Sequence, residues 1–326
     1  MPKNTTGIYD SNGVYALDSP LSKRIKFWLI IICETSSIPC YLFVIYQYLY
    51  QKELRKAIQN HALMVKLCIN FVILTIDLSM HLSFLRLGYV LPSTPGACLL
   101  WQLVDYGFWF GDIFLTCWMS IERYILIFYS HWVNTPYRCI FIHYIPLIFF
   151  SLYCPVVYIY LIFFYPVAHA YDYSFLLCGG PYFYLDIAPW LIWYESLVHY
   201  VIPIFVIVIL SGAMIIRVLI QKYRLRQIGR WNKYRKMLIQ FICISAVYIF
   251  DLPYIIVTIV RWSGLTDFGT DVQGPYFYYV DYIPTILLSF TLLGTIPHVK
   301  TSFIALIYRK KQNMRASVAP HMNCRV

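Results

Sequence analysis

Apolar positions in this chain fall into long blocks separated by short polar gaps. A helix needs about 20 predominantly apolar residues to cross a bilayer. Seven blocks reach that length, at 27–50, 62–87, 98–128, 139–165, 196–220, 237–261 and 276–299. The last is the least apolar, because Asp281 and Pro284 fall in its first turns. A polar tail, 1–26, precedes the first block. Residues 300–326 follow the last, and within them "SFIALIYRKK" is patterned as a short amphipathic helix lying on a membrane face. The pattern predicts an all-α membrane protein, a bundle of seven transmembrane helices. No internal repeat is visible, which argues against a transporter assembled from symmetric halves.

Composition agrees. The 326 residues are 60% hydrophobic and 13% charged, against roughly 25% charged in soluble domains. A soluble chain of this length would lack the charge to wet its exterior, so the expected solvent for most of the surface is a lipid bilayer. The net charge of +11 does not point to nucleic acid. The basic residues lie in the gaps between apolar blocks, where membrane topology accounts for them. Ten cysteines include no CxxC pair, so neither a zinc ribbon nor a disulfide-rich secreted framework is indicated. No cleavable signal peptide is evident, since the first 26 residues are polar and the first apolar block is long enough to span.

Basic residues in short loops set orientation. With the N-terminus outside, 19 of the 26 lysines and arginines fall on inner segments, eight of them between Arg217 and Lys236. Six fall on outer segments, and Lys66 lies within the second block. The C-terminus is then cytoplasmic. Asn4-Thr5-Thr6, an N-glycosylation sequon, lies in the proposed outer tail. The loop between the fourth and fifth blocks holds Asp172, Asp186 and Glu195 and no lysine or arginine.

The third block ends in "SIERYILIF", where Glu122 and Arg123 break an apolar run. Glu122-Arg123-Tyr124 resembles the Asp/Glu-Arg-Tyr motif at the cytoplasmic end of the third helix of rhodopsin-like (class A) G-protein-coupled receptors. Those receptors carry a cysteine at the outer end of that helix, 25 residues before the motif arginine, and Cys98 lies 25 residues before Arg123. At 1.5 Å per residue the interval spans about 37 Å, enough to cross a tilted bilayer. The resemblance implies a disulfide from Cys98 to Cys178, the only cysteine of the second outer loop. Pro203, Pro253 and Pro297 match the family's helix-kinking prolines, and Phe250 matches an aromatic position. Other landmarks depart from the pattern. Ser211 stands for a tyrosine, Asp251 for the tryptophan before Pro253, and Ile296 and Lys300 for the asparagine and tyrosine around Pro297. The resemblance is to a divergent member. It implies a plasma-membrane receptor that activates a heterotrimeric G protein through Glu122, Arg123 and Tyr124 and binds an extracellular ligand; no cofactor is expected, and no firm metal site is identified.

Several further residues are candidates for a site. In receptors for amines, an aspartate at the position of Asp105 pairs with the ligand ammonium. Trp109 lies one turn deeper on the same face, and an acid beside aromatics suits a cation. A purely helix-orienting role for Asp105 stands beside that reading. His199, Asp251 and Tyr254 complete the candidate pocket, and peptide ligands remain open because the outer loops are acidic and aromatic. Asn70, Asp77 and Asp112 form a candidate sodium or polar network, with either Asn70 or Asp77 in the family's second-helix polar position. Glu34, within the first block, is expected to meet a polar group such as His81 or Thr291. The base of the sixth block, "WNKYRKM", offers no acid to Arg123, so Arg123 is expected to rest on Glu122 or on Tyr124. A transporter or channel is the alternative function, with intramembrane acids supplying a polar path. A retinal-binding light sensor is excluded, because it requires a lysine midway along the seventh block.

Overall fold

The computed structural model describes residues 20–133, 135–166, 171–180, 188, 190–225, 245, 248–262, 264–265, 268–269 and 277–295. Asn4, Pro297, the basic segment beyond 225 and the C-terminal tail lie outside the described residues. All regular structure among the described residues is helical. The principal helices are α1 (Pro20–Tyr50) and α2 (His61–Leu87), then α3, built from the consecutive segments Pro95–Gln102, Leu103–Phe108 and Trp109–Phe128. They continue with α4 (Pro136–Phe164) and α5 (Trp190–Arg217), α6 (Leu252–Trp262) and α7 (Ile283–Thr295). Four of these, α1, α2, α4 and α5, are long and apolar enough to cross a membrane, and α6 and α7 contribute shorter apolar helices. α3 is not among the four; it carries Asp105, Asp112, Glu122 and Arg123 along its length.

Helix α1 begins at Pro20 rather than at residue 27. Proline suits the first turn of a helix, where its missing N–H costs nothing, and the lysines and arginine at 23–26 simply extend that end.

The burial pattern is reversed relative to a soluble protein. Glu34, Lys66, Asn70, Asp77, His81 and Asp112 are buried, while Ile148, Phe149, Leu152, Val156, Ile209 and Ile216 face outward and are exposed. Exposed apolar residues on this scale require an apolar surround, and the inward polar groups must then find partners among themselves.

Close helix approach is made by small residues. Gly107 and Gly111 of α3 face Pro155 of α4. A Cβ on Gly111 would sit 3.4 Å from the Pro155 ring, and one on Gly107 would sit 3.1 Å from Leu103 Cδ1. Aromatic rings fill in beside them, with Trp118 stacked on Phe150 at 5.4 Å. On the other side, Tyr41 Oη of α1 donates to Thr285 O of α7 at 2.5 Å, which satisfies a carbonyl near the start of that helix.

Stretches of π-helix interrupt the bundle at Ile73–Leu78, Leu103–Phe108 and Glu195–Val201, and twice in α4, at Ile140–Tyr144 and Tyr160–Phe164. Such turns widen the helix by one residue and recur at functional sites. Here the first three carry Asp77, Asp105 and Glu195. Pro203 lies two residues beyond Val201. Pro253 follows a 3₁₀ turn at Tyr248–Asp251. Both prolines sit where regular α hydrogen bonding is already broken.

Candidate functional site

At one end of α3, Cys98 and Cys178 form a disulfide with Cα atoms 5.8 Å apart. The segment 171–180 is thereby tied to α3. Gln102 Nε2 donates to Leu177 O at 3.0 Å, and the Val90 amide donates to Tyr173 O at 2.8 Å. Leu177 and Cys178 hold left-handed backbone (φ 54° and 56°), an uncommon state for bulky side chains and one the surrounding bonds must impose.

Below this bridge lies a cavity of about 170 Å³. Its acids are Asp105 of α3, Glu195 of α5 and Asp281, just before α7. Its walls are aromatic. Trp109 stacks on Tyr200 at 5.6 Å, Tyr254 meets Tyr200 edge-on at 5.2 Å, and Phe277 lies 5.9 Å from Tyr254. No lysine or arginine lines it among the described residues. Acid and ring faces in one enclosure are the chemistry that holds an organic cation.

Of the five pocket residues expected from sequence, Asp105, Trp109 and Tyr254 line the cavity. His199 does not. It turns to α4, 3.2 Å from Tyr158 Oη, and is enclosed by Phe110, Phe114 and Tyr194. Its neighbour Tyr200 takes the cavity position, because adjacent helical residues point about 100° apart. Asp251 is buried beside Asp281 rather than in the lining. Asp281, Tyr282, Glu195 and Tyr200 also line the cavity, beyond the five residues that the sequence marks as pocket candidates. Asp281 had been treated as a weakness of the seventh block, when an acid inside an apolar block is itself a site signal.

Asn70, Asp77 and Asp112 do not form one network. Asp77 belongs to a group nearer the disulfide, where Oδ1 accepts from Trp101 Nε1 at 2.8 Å and Oδ2 from Tyr282 Oη at 2.6 Å. Asn70 and Asp112 are together, joined by a hydrogen bond from Asn70 Nδ2. The cation among them is Lys66, which had been treated only as a charge inside a span. Its Nζ donates to both Asp112 carboxylate oxygens at 2.6 Å, to Thr116 Oγ1 at 2.8 Å and to Tyr248 Oη at 3.1 Å. Tyr248 Oη in turn donates to Asp112 Oδ2 at 3.0 Å. Lys66 is 1% exposed and Asp112 5%, so this ion pair is essentially dry. It ties α2, α3 and the turn leading into α6. The ammonium supplies the positive charge for which a sodium ion had been expected beside Asp112.

At the far end of α3, Glu122 and Arg123 are both buried at 3% exposure, rather than lying in an open edge. Glu122 Oε1 bonds to His143 Nδ1 of α4. His143 Nε2 meets His61 Nδ1 at 3.1 Å, and His61 Nε2 meets Arg55 O at 3.0 Å. A carbonyl only accepts, so His61 donates from Nε2 to Arg55 O. Glu122 is thereby tied to a pair of histidines on α2 and α4. Tyr124 is not an acceptor for Arg123. Its hydroxyl accepts from Arg217 Nη1 of α5 at 2.7 Å, and the Arg217 guanidinium lies over the Phe128 ring at 4.3 Å. Tyr124 follows Arg123 by one residue and so faces a different helix.

Glu34 meets α2 as expected, but through Ser79, whose Oγ donates to Glu34 Oε1 at 2.6 Å, and not through His81. Compared with models of known protein families and with curated proteins, the chain matches none.

Proposed function

We propose that the chain is a divergent receptor of the rhodopsin-like, G-protein-coupled type, with seven membrane-spanning helices and the disulfide end facing outward. It binds a small organic cation between Asp105, Glu195 and Asp281. It couples to a heterotrimeric G protein at the Glu122–Arg123–Tyr124 end of α3. The observation that carries this reading is the acid-and-aromatic cavity beneath the Cys98–Cys178 bridge, one end of the helix whose other end bears the Glu-Arg-Tyr motif. The Lys66–Asp112–Tyr248 lock joins the two ends, because it holds the start of α6 against α2 and α3. A ligand that shifts α6 from above pulls on Tyr248.

The test is guanine-nucleotide exchange on a panel of heterotrimers, with purified receptor and a library of amines. An active amine is expected, with potency reduced about tenfold or more by Asp105→Asn or Asp281→Asn. Failure of every heterotrimer, accompanied by ligand-independent ion flux in vesicles, would establish the transporter or channel reading instead. That alternative draws on the acids Glu34, Asp77, Asp105, Asp112 and Asp251, of which Asp112 is held in an ion pair by Lys66.

A further inference from the structure

Beside the cavity, Asp77 and His81 of α2 and Asp105 of α3 converge. His81 Nε2 lies 3.4 Å from Asp77 Oδ1 and 3.6 Å from Asp105 Oδ1. The three candidate donor atoms all fall within 4.8 Å of one another. We infer that Asp77, His81 and Asp105 form a binding site for a divalent transition-metal ion of the zinc class. This inference stands on the cluster itself and not on the receptor reading.

The His81–Asp77 and His81–Asp105 separations are close to those between donors in a coordination shell. Donors around tetrahedral zinc, with bonds of about 2.0–2.1 Å, lie roughly 3.3–3.4 Å apart. His81 is 2% exposed, and its Nε2 has no hydrogen-bond partner. A buried, unsatisfied ring nitrogen aimed between two carboxylates is costly unless something occupies that point. Among the described residues no lysine or arginine pairs with Asp77 or Asp105, in contrast to Asp112 deeper in the bundle.

The donors are also held in place from behind. Trp101 Nε1 and Tyr282 Oη donate to the two oxygens of Asp77, and each carboxylate oxygen keeps a further lone pair for a metal. The His81 ring is fixed edge-on against Trp101 at 5.2 Å and against Tyr282 at 5.4 Å. Outer partners of this kind orient ligands and sharpen affinity. Asp77 and His81 are four residues apart on one helix, and the π turn through Asp77 adjusts its direction.

Imidazole plus carboxylate favours zinc, copper or nickel over calcium, which takes six or more oxygens. Three protein donors leave one position open. Asp105 also lines the cavity, so water or a donor atom of a bound molecule completes the shell from there. Zinc and a cationic ligand consequently compete for Asp105.

The test uses the full chain in detergent, titrated with cobalt(II) as a spectroscopic stand-in and then with zinc. A saturable one-to-one rise in the visible absorption of tetrahedral cobalt, erased by zinc, is expected. His81→Ala and Asp105→Asn should abolish it, and Trp101→Phe should weaken zinc binding about 10- to 100-fold. Folding of each variant is checked by size exclusion and by its metal-free unfolding temperature. If His81→Ala does not fold, Asp105→Asn at the cavity edge decides. Absence of a one-to-one signal, its persistence in the folded variant, or thiolate charge-transfer intensity placing the ion on cysteines would overturn the proposal.

Discussion

Lys66 is the residue on which the interior electrostatics turn. A lone ammonium within an apolar bundle is costly, and so is a lone carboxylate. Together, with Thr116 and Tyr248 completing their bonds, each makes the other tolerable. Removing one partner of such a pair strands a buried charge and costs about 3–5 kcal/mol, whereas replacing both with apolar groups is near neutral. Lys66→Met should therefore lower the unfolding temperature sharply, and Lys66→Met with Asp112→Leu should recover most of the loss. A different substitution, Lys66→Ala, empties the space beside Asp112 and opens the position to an external cation. Thermal unfolding of Lys66→Ala in sodium against choline salts should show sodium-dependent stabilisation that the parent chain lacks. Equal curves in both salts would show that Asn70 and Asp112 alone do not hold sodium.

Elements are governed by how closely their backbones approach. Gly111 faces the Pro155 ring with room for one carbon at ordinary contact distance. Gly111→Ala is expected to change stability by less than ~0.5 kcal/mol, and Gly111→Leu to cost about 1–3 kcal/mol by forcing α3 from α4. Thermal unfolding of the two variants side by side distinguishes this contact from a merely low-propensity position, where both substitutions would stabilise. The positions of the helices were legible in the sequence because apolar blocks of this length have few other uses. Their facing was not. Periodicity reasoning assumes 3.6 residues per turn, and the π stretches break that count where Asp77, Asp105 and Glu195 sit. This is why His199 was placed in the cavity when Tyr200 lines it. Asn70 and Asp77, seven residues apart, likewise serve two networks rather than one role.

For the molecule as a whole, the Cys98–Cys178 bridge ties a loop segment, 171–180, to one end of α3. Its partner choice was legible only through the family resemblance, since spacing alone does not select among ten cysteines. Closing a loop of 80 residues stabilises by roughly 2–5 kcal/mol. Alkylation of the intact chain should leave Cys98 and Cys178 unlabelled until a reductant is added, and mass spectrometry of the peptides reads this out. Labelling without reductant would remove the bridge as an anchor for the cavity. The inner polar groups were legible as residues and illegible as pairs. Lys66 and Asp112 lie 46 positions apart, and only the packing of α2 on α3 brings them into contact.

The π turns have one further consequence, which concerns insertions and deletions. Each is a place where the chain holds one residue more than a straight helix needs, so part of the site's geometry is stored as length. A substitution in Leu103–Phe108 alters a side chain. Deleting a single residue there would return the helix to regular α hydrogen bonding and leave its two flanking segments close to their present register, because the bulge is what absorbs the extra residue. Cys98 and Arg123 would keep their places at the two ends, while the side chains of the bulge itself, Asp105 among them, would be re-aimed with every other cavity residue unchanged.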